Sequence, residues 1–180
     1  MRWNFPLNKK LIGSTSDSNS FKNINIENEV EIPIKGHCGS FGAIRKHDIH
    51  EGVDLYCPEN TSVYALESGV VVNMRCFTGK YANCPWWNET DALYIQGKTG
   101  VIVYGEIEIR SSLKLRDTIK RGEYLGKVKT VLRKDKGRPM SMLHIELYEH
   151  FRTREQAWEL NGEKPHWLLD PTPYLLECIE

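Results

Sequence analysis

Short apolar runs separated by turn residues set the pattern of this chain between Val53 and Tyr148. Val53-Asp54-Leu55-Tyr56, Ser62-Val63-Tyr64-Ala65-Leu66, Val70-Val71-Val72, Ala92-Leu93-Tyr94-Ile95, Val101-Ile102-Val103-Tyr104, Tyr124-Leu125-Gly126-Lys127-Val128 and Leu143-His144-Ile145-Glu146-Leu147-Tyr148 are rich in β-branched and aromatic residues, which fit a pleated, half-buried surface and predict strands. Between them, Glu67-Ser68-Gly69, Gly97-Lys98-Thr99-Gly100 and Lys120-Arg121-Gly122-Glu123 carry glycine, which supplies the positive φ that tight connections need. No rhythm of alternating strands and helices appears, so the pattern predicts antiparallel β structure. Near the C-terminus, Thr153-Arg154-Glu155-Gln156-Ala157-Trp158-Glu159-Leu160 collects helix formers, opens on a threonine able to cap and ends at Asn161-Gly162, which predicts one short helix. Asp170-Pro171-Thr172-Pro173-Tyr174-Leu175 then reads as an extended terminal segment. The polar stretch at residues 13–20 reads as a loop or linker.

Composition narrows the class of partner. The chain has 180 residues, the size of one domain with a tail. Lysine plus arginine and aspartate plus glutamate each number 24, and with no net charge a phosphate backbone has nothing to attract it, so no nucleic-acid partner is expected. No segment approaches the ~20 apolar residues of a membrane helix, and Met1 to Lys10 hold no signal-peptide core. No membrane span is expected, and the chain reads as soluble, with no export signal visible. The five cysteines, Cys38, Cys57, Cys76, Cys84 and Cys178, form no C-x-x-C pair, so neither a disulfide framework nor a cysteine zinc site is indicated. Pairing of Cys76 with Cys84 across a loop stays open, and Cys57 reads as a buried thiol.

Histidine carries the candidate chemistry. His50 precedes Asp54 by four residues, and His144 alternates into a late apolar strand. Two neutral imidazoles and a carboxylate suit zinc and leave a fourth position open for water, as catalytic rather than structural sites do. Taken alone, this spacing is a weak signal: His50 and Asp54 fit a loop pair better, and a lone strand histidine is more often a hydrogen-bonded core residue than a ligand.

The string Phe41-Gly42-Ala43-Ile44-Arg45-Lys46-His47-Asp48-Ile49-His50-Glu51-Gly52-Val53-Asp54-Leu55 resembles the opening motif of the lysostaphin-like zinc metallopeptidases, in which Phe-Gly-x-x-Arg precedes His-x-Gly-x-Asp. Pro58 to Val71, Val103-Tyr104-Gly105-Glu106-Ile107, Ile119 to Gly126 and Met142-Leu143-His144-Ile145-Glu146 follow that family in order. The resemblance spans about residues 36–150. It implies an all-β fold, mostly antiparallel sheet of the barrel-sandwich or duplicated hybrid type, here with a short C-terminal helix. It divides the chain into an N-terminal extension (1–35), the metallopeptidase domain (36–150) and a C-terminal helix and tail (151–180). It implies one zinc held by His50, Asp54 and His144, and hydrolysis of peptide bonds in peptidoglycan stem peptides or cross-bridges; a monomer is expected.

Two positions depart from the family. Glu106 stands where it usually has the histidine of Tyr-x-His, and Met142 where it has the first histidine of His-x-His. Methionine has no titratable proton, so a two-histidine mechanism cannot operate unchanged. Glu106 is the candidate base in its place, with His47 and His37 as loop histidines that could assist and Tyr104 as an oxyanion donor or a packed side chain. Glu146, two residues from His144 on one strand face, is a candidate to orient a ligand or form a salt bridge. Trp86 and Trp87 could stack on a sugar or peptide in a substrate groove, or fold back to seal their loop. The departures leave open a catalytically inactive binding or regulatory module. A phosphotransferase-type carrier is a further reading, for which only His144 is well placed.

Overall fold

The computed structural model describes residues 2–179. Its strands are β1 (Lys10–Thr15), β2 (Glu29–Pro33), β3 (Asp48–Ile49), β4 (Val53–Tyr56), β5 (Ser62–Tyr64), β6 (Gly69–Thr78), β7 (Thr90–Gly97), β8 (Val101–Ile109), β9 (Thr118–Ile119), β10 (Tyr124–Val128), β11 (Met142–Tyr148), β12 (Trp158–Glu159) and β13 (Leu168–Leu169), followed by helix α1 (Thr172–Leu176). Each apolar run of the sequence became a strand. Nine strands form one sheet, in which β13, β11, β8, β7, β6 and β9 are successive neighbours, β4 adds to β11, and β10 joins β8 to β5. All pairings in this sheet are antiparallel. The architecture is therefore all-β with one short C-terminal helix.

Alternation divides β4 and β11 into two faces. Val53, Leu55, Leu143, Ile145 and Leu147 are fully buried in the main core with Ile102, Tyr104 and Ile107. Asp54, Tyr56, Met142, His144 and Glu146 face the other way, and the register sets His144 opposite Asp54 and Met142 opposite Tyr56. β8 changes partner midway. Val101 to Gly105 pair with β11, Ile107 to Ile109 pair with β10, and Glu106 between them takes a left-handed φ of 64°. Such a conformation costs a non-glycine residue about 1–2 kcal/mol, so the flanking ladders must hold it.

Three expectations are corrected. Thr153 to Leu160 form no helix: Trp158–Glu159 pair as β12 with β3, the Trp158 amide donates to Glu51 Oε1 at 2.8 Å, and its ring packs on Phe41. Glu155 meanwhile meets Arg75 and the Tyr94 hydroxyl. These long-range contacts override local helix propensity. The helix lies instead at Thr172–Leu176, where the sequence suggested extension; prolines sit in its opening turn, where a missing N–H costs nothing. Its Leu175 enters the core and Tyr174 stacks on Trp3 at 4.9 Å. Finally, residues 13–15 are not loop but the end of β1, which pairs with β2 in parallel. The segment before residue 36 contributes Trp3, Leu7, Val30 and Ile32 to the main core. Cys76 and Cys84 are free thiols, as are the other three cysteines.

Gly52 is fixed by close approach. A Cβ there would lie 2.5 Å from the Ile145 carbonyl oxygen and 2.8 Å from two atoms of the His144 ring. Gly52→Ala should therefore destabilise the protein by about 1–3 kcal/mol, the usual cost of overpacking, and displace His144. Thermal melting with parallel metal-binding titration checks both, and a variant with unchanged melting and affinity would refute the close-packing account.

Candidate metal centre and cleft

Three donor groups from two strands and a loop converge. One ligand atom each from His50, Asp54 and His144 can be chosen within 4.8 Å of one another, and all three residues are buried. His50 Nε2 lies 3.2 Å from His144 Nδ1 and 3.2 Å from Asp54 Oδ1, while His144 Nδ1 lies 2.8 Å from Asp54 Oδ1. Tetrahedral zinc with bonds of about 2.0–2.1 Å puts its donors roughly 3.3 Å apart, so the cluster fits such an ion with small adjustment.

The far side of each ring is also tied. His50 Nδ1 sits 2.9 Å from the Ser40 carbonyl, and His144 Nε2 sits 2.9 Å from Glu146 Oε1. Both acceptors take a proton from the outer nitrogen and leave the inner one free to ligate, the arrangement that fixes the tautomer in metal sites. Arg45 donates to Asp54 Oδ2 at 2.6 Å. Gly105 leaves room for the Phe77 ring, which packs 5.5 Å from the His144 ring.

Burial governs the protonation states. For Asp54, burial opposes ionisation, but His50 and Arg45 outweigh it and hold the carboxyl well below its usual range. Burial likewise opposes charge on His144, yet Asp54 and Glu146 hold its ring well above the usual imidazole range. Burial pushes His50 down, against the pull of the Asp54 carboxylate. In the metal-free chain, a proton on His144 thus satisfies the converging lone pairs. For Glu106, burial first and the Asp54 charge second push the carboxyl up to about 8.

A cleft of about 740 Å³ opens over this cluster, lined among others by Asp54, Tyr56, Trp86, Trp87, Glu106 and Met142. Glu106 is 9% exposed, and its Oε2 has no hydrogen-bond partner. Trp86 is 63% exposed and meets Trp87 edge-on at 6.2 Å. Asn88 anchors their loop to Thr130 and Val131, so the pair lines the cleft and does not fold away against the sheet. His47 stands exposed on the rim.

Two candidates from the sequence lie elsewhere. Tyr104 is paired with Ile145 and shares its core face, where its hydroxyl accepts from the Leu66 amide at 2.8 Å; it is a packed side chain and cannot reach the cleft. His37 is buried behind Tyr56, its Nδ1 accepting from the Gly39 amide at 2.9 Å, and lines a separate small cavity. Tyr56 itself carried a signal that sequence reading missed, its position two residues after Asp54 on the same strand face.

Two imidazoles and a carboxylate on an antiparallel sheet, opening into a cleft, are a donor set that could hold a divalent metal ion. Residues 48–157, well over half the chain, match the model of Peptidase family M23. The chain belongs to that family. LytM from Ruminococcus gnavus ATCC 29149, assigned as a glycyl-glycine endopeptidase, is 18% identical with a TM-score of 0.55, the match covering 98% of this chain and 60% of that one. CbpA from L. salivarius REN is 19% identical with a TM-score of 0.52, covering 79% and 86%. An assigned M23 peptidase from Pseudomonas aeruginosa is 19% identical with a TM-score of 0.43, covering 70% of this chain and 43% of its own. The chain thus spans less than half of that protein's length, and at these identities the likenesses show the fold alone. No curated protein matches the chain.

Zinc binding at neutral pH should displace the His144 proton and let Glu106 ionise, releasing between about one and two protons per ion. Calorimetry in buffers of different ionisation enthalpy measures it, and affinity should rise with pH; binding without proton release would refute the protonated site. Glu106, raised from 4.5 to about 8, gives the metal-free protein stability that is full below pH ~4.5 and lost as pH rises through ~8. Melting temperatures across that range should fall less steeply in Glu106→Gln than in the parent, and parallel curves would contradict it.

Proposed function

We propose that the chain is a zinc metallopeptidase hydrolysing peptide bonds in peptidoglycan stem peptides or cross-bridges. The observation that carries this reading is the buried Glu106 carboxyl, unpartnered at Oε2, in the same cleft as Asp54. His50, Asp54 and His144 would hold the ion, which when bound supplies Lewis acidity toward a carbonyl and acidifies water. Glu106 takes a proton from the attacking water as its oxygen joins the carbonyl carbon. It returns that proton to the amide nitrogen as the C–N bond breaks, so one water is consumed and Glu106 is regenerated. Burial first and the Asp54 charge second raise this carboxyl, and a divalent cation held beside it would favour the ionised form that this role needs. Arg45 keeps Asp54 ionised and oriented. The aromatic wall of Trp86 and Trp87 offers flat surface for a peptide or sugar ring.

Met142 favours a second reading. Its thioether lines the cleft where the family usually has a histidine, and it can neither accept nor give a proton, as expected of a member that binds wall peptides without cutting them.

Elemental mass spectrometry on protein purified without added metal, with digestion of purified peptidoglycan, separates the two. The parent and Glu106→Ala should each carry about one zinc, and His144→Ala should lose it. Removing the base should lower turnover by about 10²–10⁴-fold. Wall binding without cleavage by the parent would establish the second reading. Absence of metal, even when zinc is offered, would overturn the first.

A further inference from the structure

We propose that Tyr56 donates the hydrogen bond that holds the substrate's carbonyl oxygen as it becomes an oxyanion, compensating for Met142; this rests on the metallopeptidase reading above. Among pairs across β4 and β11, His144 stands opposite Asp54 and Met142 opposite Tyr56. In an antiparallel pair, directly opposed side chains share a face about 4.5–5.5 Å apart. The phenol is therefore the immediate neighbour of the thioether, one strand over and two residues along from a candidate ligand. It carries the O–H that the thioether lacks.

The surroundings leave that donor available. Tyr56 is half-buried and lines the cleft with Asp54 and Glu106. Its hydroxyl meets the Cys38 sulfur at 3.7 Å, longer than an oxygen–oxygen hydrogen bond; the His37 hydrogen bond foremost lowers that thiol to about 6 against its burial, so a developing alkoxide competes with the sulfur for the phenol's hydrogen from closer range. The ring is held from behind by His37, at 5.7 Å between centroids. Gly39 lets the chain pass close: a Cβ there would lie 3.1 Å from a Tyr56 ring carbon and 3.1 Å from Asp54 Cβ. The absent side chain at 39 thus sets both the ligand and the phenol against one stretch of backbone.

Other donors near the centre are committed or remote. The Arg45 guanidinium is spent on Asp54 Oδ2 and, more weakly, the Cys38 carbonyl. Tyr104 is on the opposite face. His47 and Lys136 are exposed on the rim, and the exposed Arg138 guanidinium donates to the Cys38 sulfur at 3.7 Å. Glu106 accepts the water's proton and cannot also hold the oxyanion. A preorganised neutral donor aimed where charge develops is the arrangement that stabilises acyl-transfer transition states. In this role Tyr56 keeps its proton, and no bond to it forms or breaks.

The test uses the zinc-loaded full chain, with the parent, Tyr56→Phe and the double variant Tyr56→Phe/Met142→His. Two readouts are taken: steady-state cleavage of a wall stem peptide, and calorimetric affinity for the phosphinic analogue of that peptide, whose tetrahedral anion mimics the oxyanion. Tyr56→Phe should keep its zinc and its KM, lose about 10²-fold in kcat, and bind the phosphinic analogue correspondingly more weakly. The double variant should recover part of both losses. Unchanged kcat and unchanged phosphinic affinity in Tyr56→Phe would overturn the proposal. So would a loss confined to KM, which marks a ground-state contact. A parent that holds zinc but neither cleaves nor binds the analogue would overturn the peptidase reading itself, an outcome visible before any variant is made.

Discussion

The register between β4 and β11 is the constraint on which the rest of the site depends. A slip of one residue would turn Asp54, Tyr56, Met142, His144 and Glu146 into the core and expose Leu55 and Ile145 to the cleft, because side chains alternate with a period of two. What forbids the slip is apolar. Val53, Leu55, Leu143, Ile145 and Leu147 are fully buried, and each such side chain is worth about 1.5–3 kcal/mol over exposure. The geometry of the polar cluster is thus held by the face that carries none of its chemistry. Gly52 and Gly39 add the close approaches that let the loops before β4 reach the same place.

The cluster that this register assembles is electrically demanding. Arg45 is its one permanent cation, while Asp54, Glu106 and Glu146 are all buried carboxyls. Burying unpaired charge is expensive, and the metal-free chain meets the demand with protons, one on His144 and one on Glu106 over much of the neutral range. A divalent cation meets the same demand by another route, and both protons become dispensable. The same residues are therefore tuned for exchange between protons and a metal ion, which is also the currency of hydrolytic chemistry.

Sequence reading was strongest where a single strand or motif carried the signal. The main strands followed from alternation and turns, and His50, Gly52 and Asp54 sit in one short string. Failures came from pairings between distant segments. Trp158 is claimed by β3 and Glu51, so the local helix signal of Thr153 to Leu160 lost. Tyr104, open in the sequence between an oxyanion donor and a packed side chain, is decided as packed by its partner Ile145, which shows the face it occupies. Tyr56 was passed over for the converse reason: its meaning lies in standing opposite Met142, and register is not written in either strand alone.

The left-handed backbone at Glu106 has a consequence for how this position can change over time. Val, Ile and Thr are strongly disfavoured there, while Gly, Asn, Asp and His tolerate it best. Drift at this site is thereby channelled through a small alphabet, several of whose members can handle protons. A lineage that lost one acid–base residue here would have others within easy reach, so a hydrolytic centre could be rewired in place without rebuilding the sheet around it.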